Sequence, residues 1–393
     1  MRIIKPEEIL ECEKIQSIAF ISSLDIAQLK KELAENPNPP DRYIGFFNEE
    51  NVITACMELP EYQVRYEDGR VKMIGLGGVA SLPEHRFGGA VRQTVYAAFR
   101  LMREEGAVFS CLYPFSHPYY RQFGYETCQL SASYTLPIQA LRKFRCGAAV
   151  CMLLPGEGVR QLQAVFDRHF LGCNLPVQRE ARHWKKLTGS DPYKERTYTY
   201  LLEREKEPCA YVIFSAQRAN SQEDYLCQVR EMAFTGPQGL SDALGFLYRL
   251  SAQYNRVRLP LPENIPLPAL LDESYEIKTE LYSHAMGRVI HLQKALEQKR
   301  HFEGADYTLR AVDEAIPEND GIFHIHCQNG RVSVERCEAA ADLTADIRTM
   351  ALLLLGAVSL DEALYRPDVQ AAANLDTLRA VFIRRPVFLT DHF

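Results

Sequence analysis

Two hydrophobic periods alternate along the chain. A short apolar strand at Arg2 to Ile4 precedes a stretch of helical spacing, Pro6 to Phe20, with Ile9, Leu10, Ile15 and Ile18 expected on one face. The run Asn36-Pro37-Asn38-Pro39-Pro40 makes Leu33 to Arg42 a loop. Alternating patterns follow. Tyr43 to Phe47 and Val52 to Leu59 flank the turn Asn48-Glu49-Glu50-Asn51, and Tyr62 to Tyr66 and Val71 to Ala80 flank Glu67-Asp68-Gly69-Arg70, which predicts two hairpins. From Val79 to Tyr125 the chain reads strand, glycine-bearing loop, helix, strand and tyrosine-rich turn.

The same order of elements returns after Gly147. Ala148 to Leu154 reads as a strand, Val159 to His169 as a helix, and Tyr198 to Glu203 with Cys209 to Ser215 as a hairpin. Cys227 to Ala233 and Leu240 to Ala252 follow as strand and helix. Proline-rich Leu259 to Pro268 closes this unit. Beyond it, Phe323 to Cys327 and Arg331 to Arg336 alternate across Asn329-Gly330, a hairpin signal, and Leu343 to Leu355 and Val369 to Val381 read as helices. The expected fold class is therefore α/β (α+β), in three units: 1–146, 147–285 as a degenerate repeat of the first, and 286–393.

A chain of 393 residues with 47% hydrophobic content can build several cores. Its net charge of −6 and lack of a basic run argue against a nucleic-acid partner. Eleven scattered cysteines, with no CxxC pair and no zinc spacing, suggest a reduced compartment and no metal site. The N-terminus turns acidic within a few residues, and the most apolar stretch, Met350 to Val358, is too short to span a bilayer. The expected location is cytoplasmic, with no membrane partner.

The candidate chemistry lies in Pro83-Glu84-His85-Arg86-Phe87-Gly88-Gly89-Ala90-Val91-Arg92. Following a strand and opening a helix, these residues place unpaired main-chain amides where a pyrophosphate could sit, with Arg86 and Arg92 adding charge. An ordinary glycine-bearing turn is the other reading. The preceding Gly75-Leu76-Gly77-Gly78-Val79-Ala80-Ser81 carries glycines inside a strand, which mark a bulge or a close main-chain approach. A bulge would splay this strand from the next, so that a pantetheine arm could pair with Val79 and Ser81; simple accommodation of packing is the alternative. A departing thiolate needs an acid, for which Tyr119, Tyr120 and Tyr125 are candidates, and position favours Tyr120. The layout points to acetyl-coenzyme A held against an amine, as in Gcn5-related N-acetyltransferases (GNAT).

More specifically, Gly78 to Arg86 together with Tyr119-Tyr120-Arg121-Gln122-Phe123-Gly124-Tyr125 resembles the Eis (enhanced intracellular survival) family. The resemblance implies an active acetyltransferase domain, a degenerate second one and a domain similar to sterol carrier proteins. It further implies Tyr120 as general acid, the α-carboxylate of the terminal phenylalanine, Phe393 here, as base, and a hexameric assembly. Two positions depart from the family pattern: Phe87 and Gly88 stand where arginines are common, and His392 stands where an acid is found in members that acetylate aminoglycosides. Asp25 and Asp391 could still give the acceptor site negative charge. The expected acceptor is a primary amine of a small molecule, aminoglycoside-like or polyamine-like, or a lysine side chain. The rival readings are an acyl-coenzyme A sensor or scaffold without turnover, and a lipid carrier acting through residues 286–393.

Overall fold

Hydrogen bonding along residues 69–81 changes partner in mid-strand, and that change shapes the N-terminal part of the molecule. The computed structural model describes residues 1–35, 42–218, 225–262 and 265–393, so the proline loop expected around Asn36 to Pro40 lies outside the described residues. The chain divides into two compact units: residues 1–129, 174–177 and 284–393 form the first, and residues 130–173 and 178–283 the second.

The first unit begins with β1 (Arg2–Ile3), α1 (Ile9–Ala19), α2 (Ile26–Glu35), β2 (Arg42–Phe47) and β3 (Ile53–Leu59). There follow β4 (Glu61–Tyr66), β5 (Gly69–Gly75), β6 (Gly77–Ser81), α3 (Ala90–Glu104), β7 (Phe109–Leu112), α4 (His117–Arg121) and β8 (Glu126–Thr127). One sheet runs β1-β2-β3-β6; another runs β4-β5-β7, then Met286–Val289, then β8. The single strand expected over Val71 to Ala80 is thus two strands in different sheets. β5 runs parallel to β7 as far as Gly75 opposite Cys111, and the last bond is from the Leu76 amide to the Cys111 carbonyl at 2.9 Å. Beyond Leu76 the chain pairs only with β3, so β6 and β7 part company.

The buried face of α1 is Ile9, Cys12, Ile15 and Gln16, whereas Ile18, expected inward, is 56% exposed. Burial at i, i+3, i+6 and i+7 follows the helical period more closely than the expected set does, and the apolar members pack with Cys56 and Ala80 of the sheet. Leu33 belongs to α2, not to the loop assigned to it.

Residues 284–393 complete this unit. Their five-stranded sheet has the order Arg331–Cys337, Gly321–Gln328, Asp306–Val312, Leu343–Asp346, Gln370–Ala371. The hairpin turn holds Asn329 at φ 53° and Gly330 at φ 68°, as a two-residue turn of the expected type requires. The helix expected from Leu343 begins later. Leu343–Asp346 pair in parallel with Leu309 to Val312, and Asp346 then caps the helix Ile347–Leu355 by accepting from the Thr349 amide at 3.0 Å. Likewise Gln370–Ala371 are strand, and the last helix is Leu375–Val381. One continuous core joins this part to the N-terminal strands: Tyr62, Val64, Met73 and Phe109 cluster with Leu292, Tyr307, Phe323, Leu353 and Leu389. Within the unit the buried Arg288 and Asp313 form an ion pair in which Arg288 Nη2 donates to both carboxylate oxygens at 2.8 and 2.9 Å, with Asn319 donating to the same carboxylate at 3.1 Å.

In the second unit a seven-stranded sheet packs against the helices Val159–His169 and Gly236–Arg249. Its strand-to-helix turn, Thr235 to Gly239, carries no basic residue.

Candidate active site

Where β6 separates from β7, a cavity of about 630 Å³ opens. Val79, Ser81, Arg86, Phe87, Gly89, Ala90, Val91 and Arg92 line it, together with Phe20 and Tyr119; Gly88 lies outside the lining. The loop is built to present main chain. A 3-10 turn, Pro83–His85, stops at Arg86, Phe87 adopts φ 65°, and Gly89 at φ 80° is the residue from which α3 starts. The first intrahelical bond is from the Gln93 amide to the Gly89 carbonyl at 3.0 Å. The amides of Ala90, Val91 and Arg92 therefore point out of the helix start, where the dipole is positive. Arg86 and Arg92 are exposed and form no ion pair among the described residues. Phe87, at a positive φ and with its ring fully exposed, is strained for a residue with a side chain, a state that persists mainly at functional loops.

The tyrosines of the second motif divide by environment. Ser116 caps α4 by accepting from the Tyr119 amide, and the helix turns Tyr120 into an aromatic cage of Phe115, Tyr119 and Tyr125. Tyr125 is buried and its hydroxyl is paired with Ser110 Oγ at 2.7 Å. Tyr119 lines the cavity; Tyr120, 3% exposed, stands behind it. Burial pushes the hydroxyls of both Tyr119 and Tyr120 upward, so both keep their protons at neutral pH.

Chain termini commonly fray, but the last residues here are bonded in series. The Arg385 amide donates to the Gly356 carbonyl at 2.8 Å, and Asn174 brackets the tail from Pro386 O to Phe388 N at 2.9 Å on each side. Leu389 N donates to Gln129 Oε1 at 2.9 Å, and Thr390 Oγ1 accepts from the Val177 amide at 3.2 Å. Tyr113 donates to the Asp391 carbonyl at 3.0 Å and stacks on His392 at 4.2 Å, with His284 edge-on to both rings. The Phe393 ring lies 5.3 Å from that of Tyr62 and 5.5 Å from that of Tyr113, against Gly75. A Cβ on Gly75 would come within 2.3 Å of that ring, so only glycine leaves room for it. The Phe393 carboxyl carbon reaches β6, within 3.6 Å of where a Cβ on Gly77 would lie and two residues along the strand from Val79.

Of the two aspartates, Asp391 is held in this tail, its carboxylate accepting from Thr390 Oγ1 at 2.7 Å. Asp25 instead caps α2, accepting from the Ala27 and Gln28 amides at 3.0 Å, and does not line the cavity. Sequence reasoning missed Glu58. It lies opposite Gly77 in the β3–β6 ladder, beside an irregularity in register, and its Oε1 accepts from Gln16 Nε2 at 2.9 Å. The composition of β3 could have flagged it, since Glu58 is the one charged residue in a strand that is otherwise buried.

Comparison with known proteins defines the class. Residues 1–128 and 175–289 each match an acetyltransferase (GNAT) domain, and residues 292–390 match a sterol carrier protein domain. The chain is a GNAT acetyltransferase of Eis-like architecture, with a C-terminal sterol carrier protein domain. A probable N-acyltransferase from Enterococcus faecalis V583 shares 22% identity, with a TM-score of 0.87 over 100% of this chain and 99% of that one. A GCN5-related N-acetyltransferase from Anabaena variabilis shares 20%, with a TM-score of 0.86 over the whole of both chains. Eis1 from Mycobacterium abscessus shares 19%, with a TM-score of 0.81 over 100% of this chain and 99% of that one. At these identities the likeness is one of fold. No curated protein matches the chain in sequence.

Proposed function

We propose that this enzyme uses acetyl-coenzyme A to acetylate a primary amine by direct attack, without a covalent enzyme intermediate. The amine belongs to a small molecule, polyamine-like or aminoglycoside-like, or to a lysine side chain. The observation that carries this reading is the docking of the segment that ends in Phe393. The main-chain carbonyl carbon of Phe393 reaches the strand whose other end, at Val79 and Ser81, lines a cavity beside Arg86, Arg92 and the start of α3.

The coenzyme would supply an activated acetyl thioester. In this reading the amides of Ala90, Val91 and Arg92, with the Arg86 and Arg92 guanidinia, bind its phosphates, while Phe87, Gly88 and Gly89 shape the approach. Main-chain groups of Val79 and Ser81, on the strand that parts from β7, hold the pantetheine arm, and the Val79 amide polarises the thioester carbonyl. With Phe393 as last residue, its carboxylate takes the proton lost by the amine as the C–N bond forms. Tyr120 donates its proton to the sulfur as the C–S bond breaks, and regains one from solvent. Asp391 adds negative charge near the acceptor, whereas Asp25, which caps α2, has no part in it. A hexamer, the assembly that resemblance implies, is checked by light scattering.

The test is release of free thiol from acetyl-coenzyme A with a panel of polyamines, aminoglycosides and lysine peptides. Turnover with at least one amine is expected. Coenzyme binding without any turnover would replace the enzyme by a sensor.

A further inference from the structure

A second cavity, of about 800 Å³, opens along α3 beyond the residues that line the first, and the two share no lining residue. One wall is α3, with Tyr96, Arg100 and Arg103; the other is the loop Ala315 to Glu318, with His291 beside it. That loop is held in place. The Asp313 carboxylate accepts from the Ala315 and Ile316 amides at 3.1 Å each, and the Asn319 amide donates to the Ile316 carbonyl at 2.9 Å. The cavity is thus formed in advance, with the Tyr96 ring, Ile316 and Pro317 as its apolar surface.

Its polar groups include donors that lack an acceptor. Arg103, with a side chain only 21% exposed, commits Nη1 alone, to the Ile290 carbonyl at 2.9 Å and to Asn319 Oδ1 at 3.3 Å. Among the described residues no hydrogen bond leaves its Nε or Nη2; Glu318 Oε1 stands 3.8 Å from Nε, too far for one. Those two nitrogens form the edge on which a guanidinium takes a carboxylate in two parallel bonds. Arg100 is exposed and pairs with no carboxylate among the described residues. His291 Nδ1 accepts from the Lys294 amide at 3.4 Å, which leaves the ring proton on Nε2. Burial, with Arg103 and Lys294 nearby, pushes this histidine down to about 4, so the ring is neutral near pH 7. The two acids of the lining, Glu104 and Glu318, are exposed, and water screens them more than it screens Arg103.

We propose that this cavity binds a small organic monocarboxylate with an apolar body, its carboxylate on the Nε and Nη2 edge of Arg103 and its body against Tyr96, Ile316 and Pro317. Arg100 adds charge from the rim. A doubly charged phosphate would meet Glu104 and Glu318 as well as the arginines, whereas a single carboxylate matches the one uncommitted guanidinium edge. The site lies apart from the coenzyme cavity, so its test needs no turnover.

The test titrates phenylacetate, phenylacetamide and phenethylamine into the full-length protein by calorimetry. The three share an aromatic body and carry a negative, a neutral and a positive head. Phenylacetate is expected to bind at least about tenfold tighter than the amide, and the amine weakest of all. Arg103→Lys, which keeps the charge but loses the fork, should weaken phenylacetate about fivefold, and Arg100→Gln about threefold, with phenylacetamide affected by neither. Should Arg103→Lys fail to fold, Arg100→Gln still decides, since that exposed side chain holds nothing in place. Phenylacetate that does not bind, that binds no tighter than the amide, or that binds both variants as it binds the wild type would overturn the proposal, the last by placing the anion elsewhere.

Discussion

At Tyr120 and Tyr119 the structure separates two hydroxyls that the sequence sets side by side. Tyr120→Phe is expected to lower kcat by about a hundredfold, the scale of a lost general acid, with coenzyme affinity nearly unchanged. Tyr119→Phe, which removes a hydroxyl at the cavity wall, should act mainly on coenzyme binding. Stopped-flow thiol release and coenzyme titration separate the two, and the opposite pattern would move the acid to Tyr119. Gly75→Ala tests the tail from its other side. The added methyl meets the Phe393 ring at 2.3 Å, so turnover should drop at least tenfold while the coenzyme still binds. Wild-type turnover in that variant would show that Phe393 has room to spare. These contacts were not legible in the sequence. That Phe393 reaches Gly75 depends on more than three hundred residues of intervening fold, whereas Arg86, Gly89 and Arg92 are neighbours in the chain and share one loop.

Among the elements, hairpins and the loop into α3 could be read from alternation and turn residues because their pairing is local. The glycines of residues 75–78 flagged a splay here, but not that residues 71–80 divide between two sheets at Leu76, since that arises from competition between β3 and β7 for one strand. The strand at Leu343–Asp346 was hidden for the same reason: its partner, Asp306–Val312, is distant in sequence, and an apolar run beside a helix reads as more helix. Two predictions belong to this scale. Asp313→Ala leaves Arg288 buried without its counter-charge and should cost about 3–5 kcal/mol in chemical denaturation; a change below about 1 kcal/mol would show that water reaches Arg288. The tail clamp should also respond to acid. Burial, with His392 nearby, pushes His284 down to about 4, so the folded state favours the neutral ring. Between the ordinary histidine value near 6.5 and about 4, the unfolded chain binds the extra proton, and stability and turnover should fall as pH falls through that window. His284→Phe should flatten that part of the profile, and an unchanged profile would place the titrating group elsewhere.

For the whole molecule, the sterol carrier protein domain shares a core with the N-terminal strands and leads the end of the chain to β6. No helix among the described residues is long and apolar enough to cross a membrane. The acetyltransferase layout was visible from the order of elements and from two short motifs; the proposed base, Phe393, came only from the family resemblance, because its position depends on chain geometry and not on a local motif. The most direct test of this account appends two or three residues to Phe393 and measures acetyl transfer to an amine that the unextended protein uses. The account predicts a loss of turnover of about a hundredfold or more with coenzyme A still bound. Full turnover in the extended protein would contradict it.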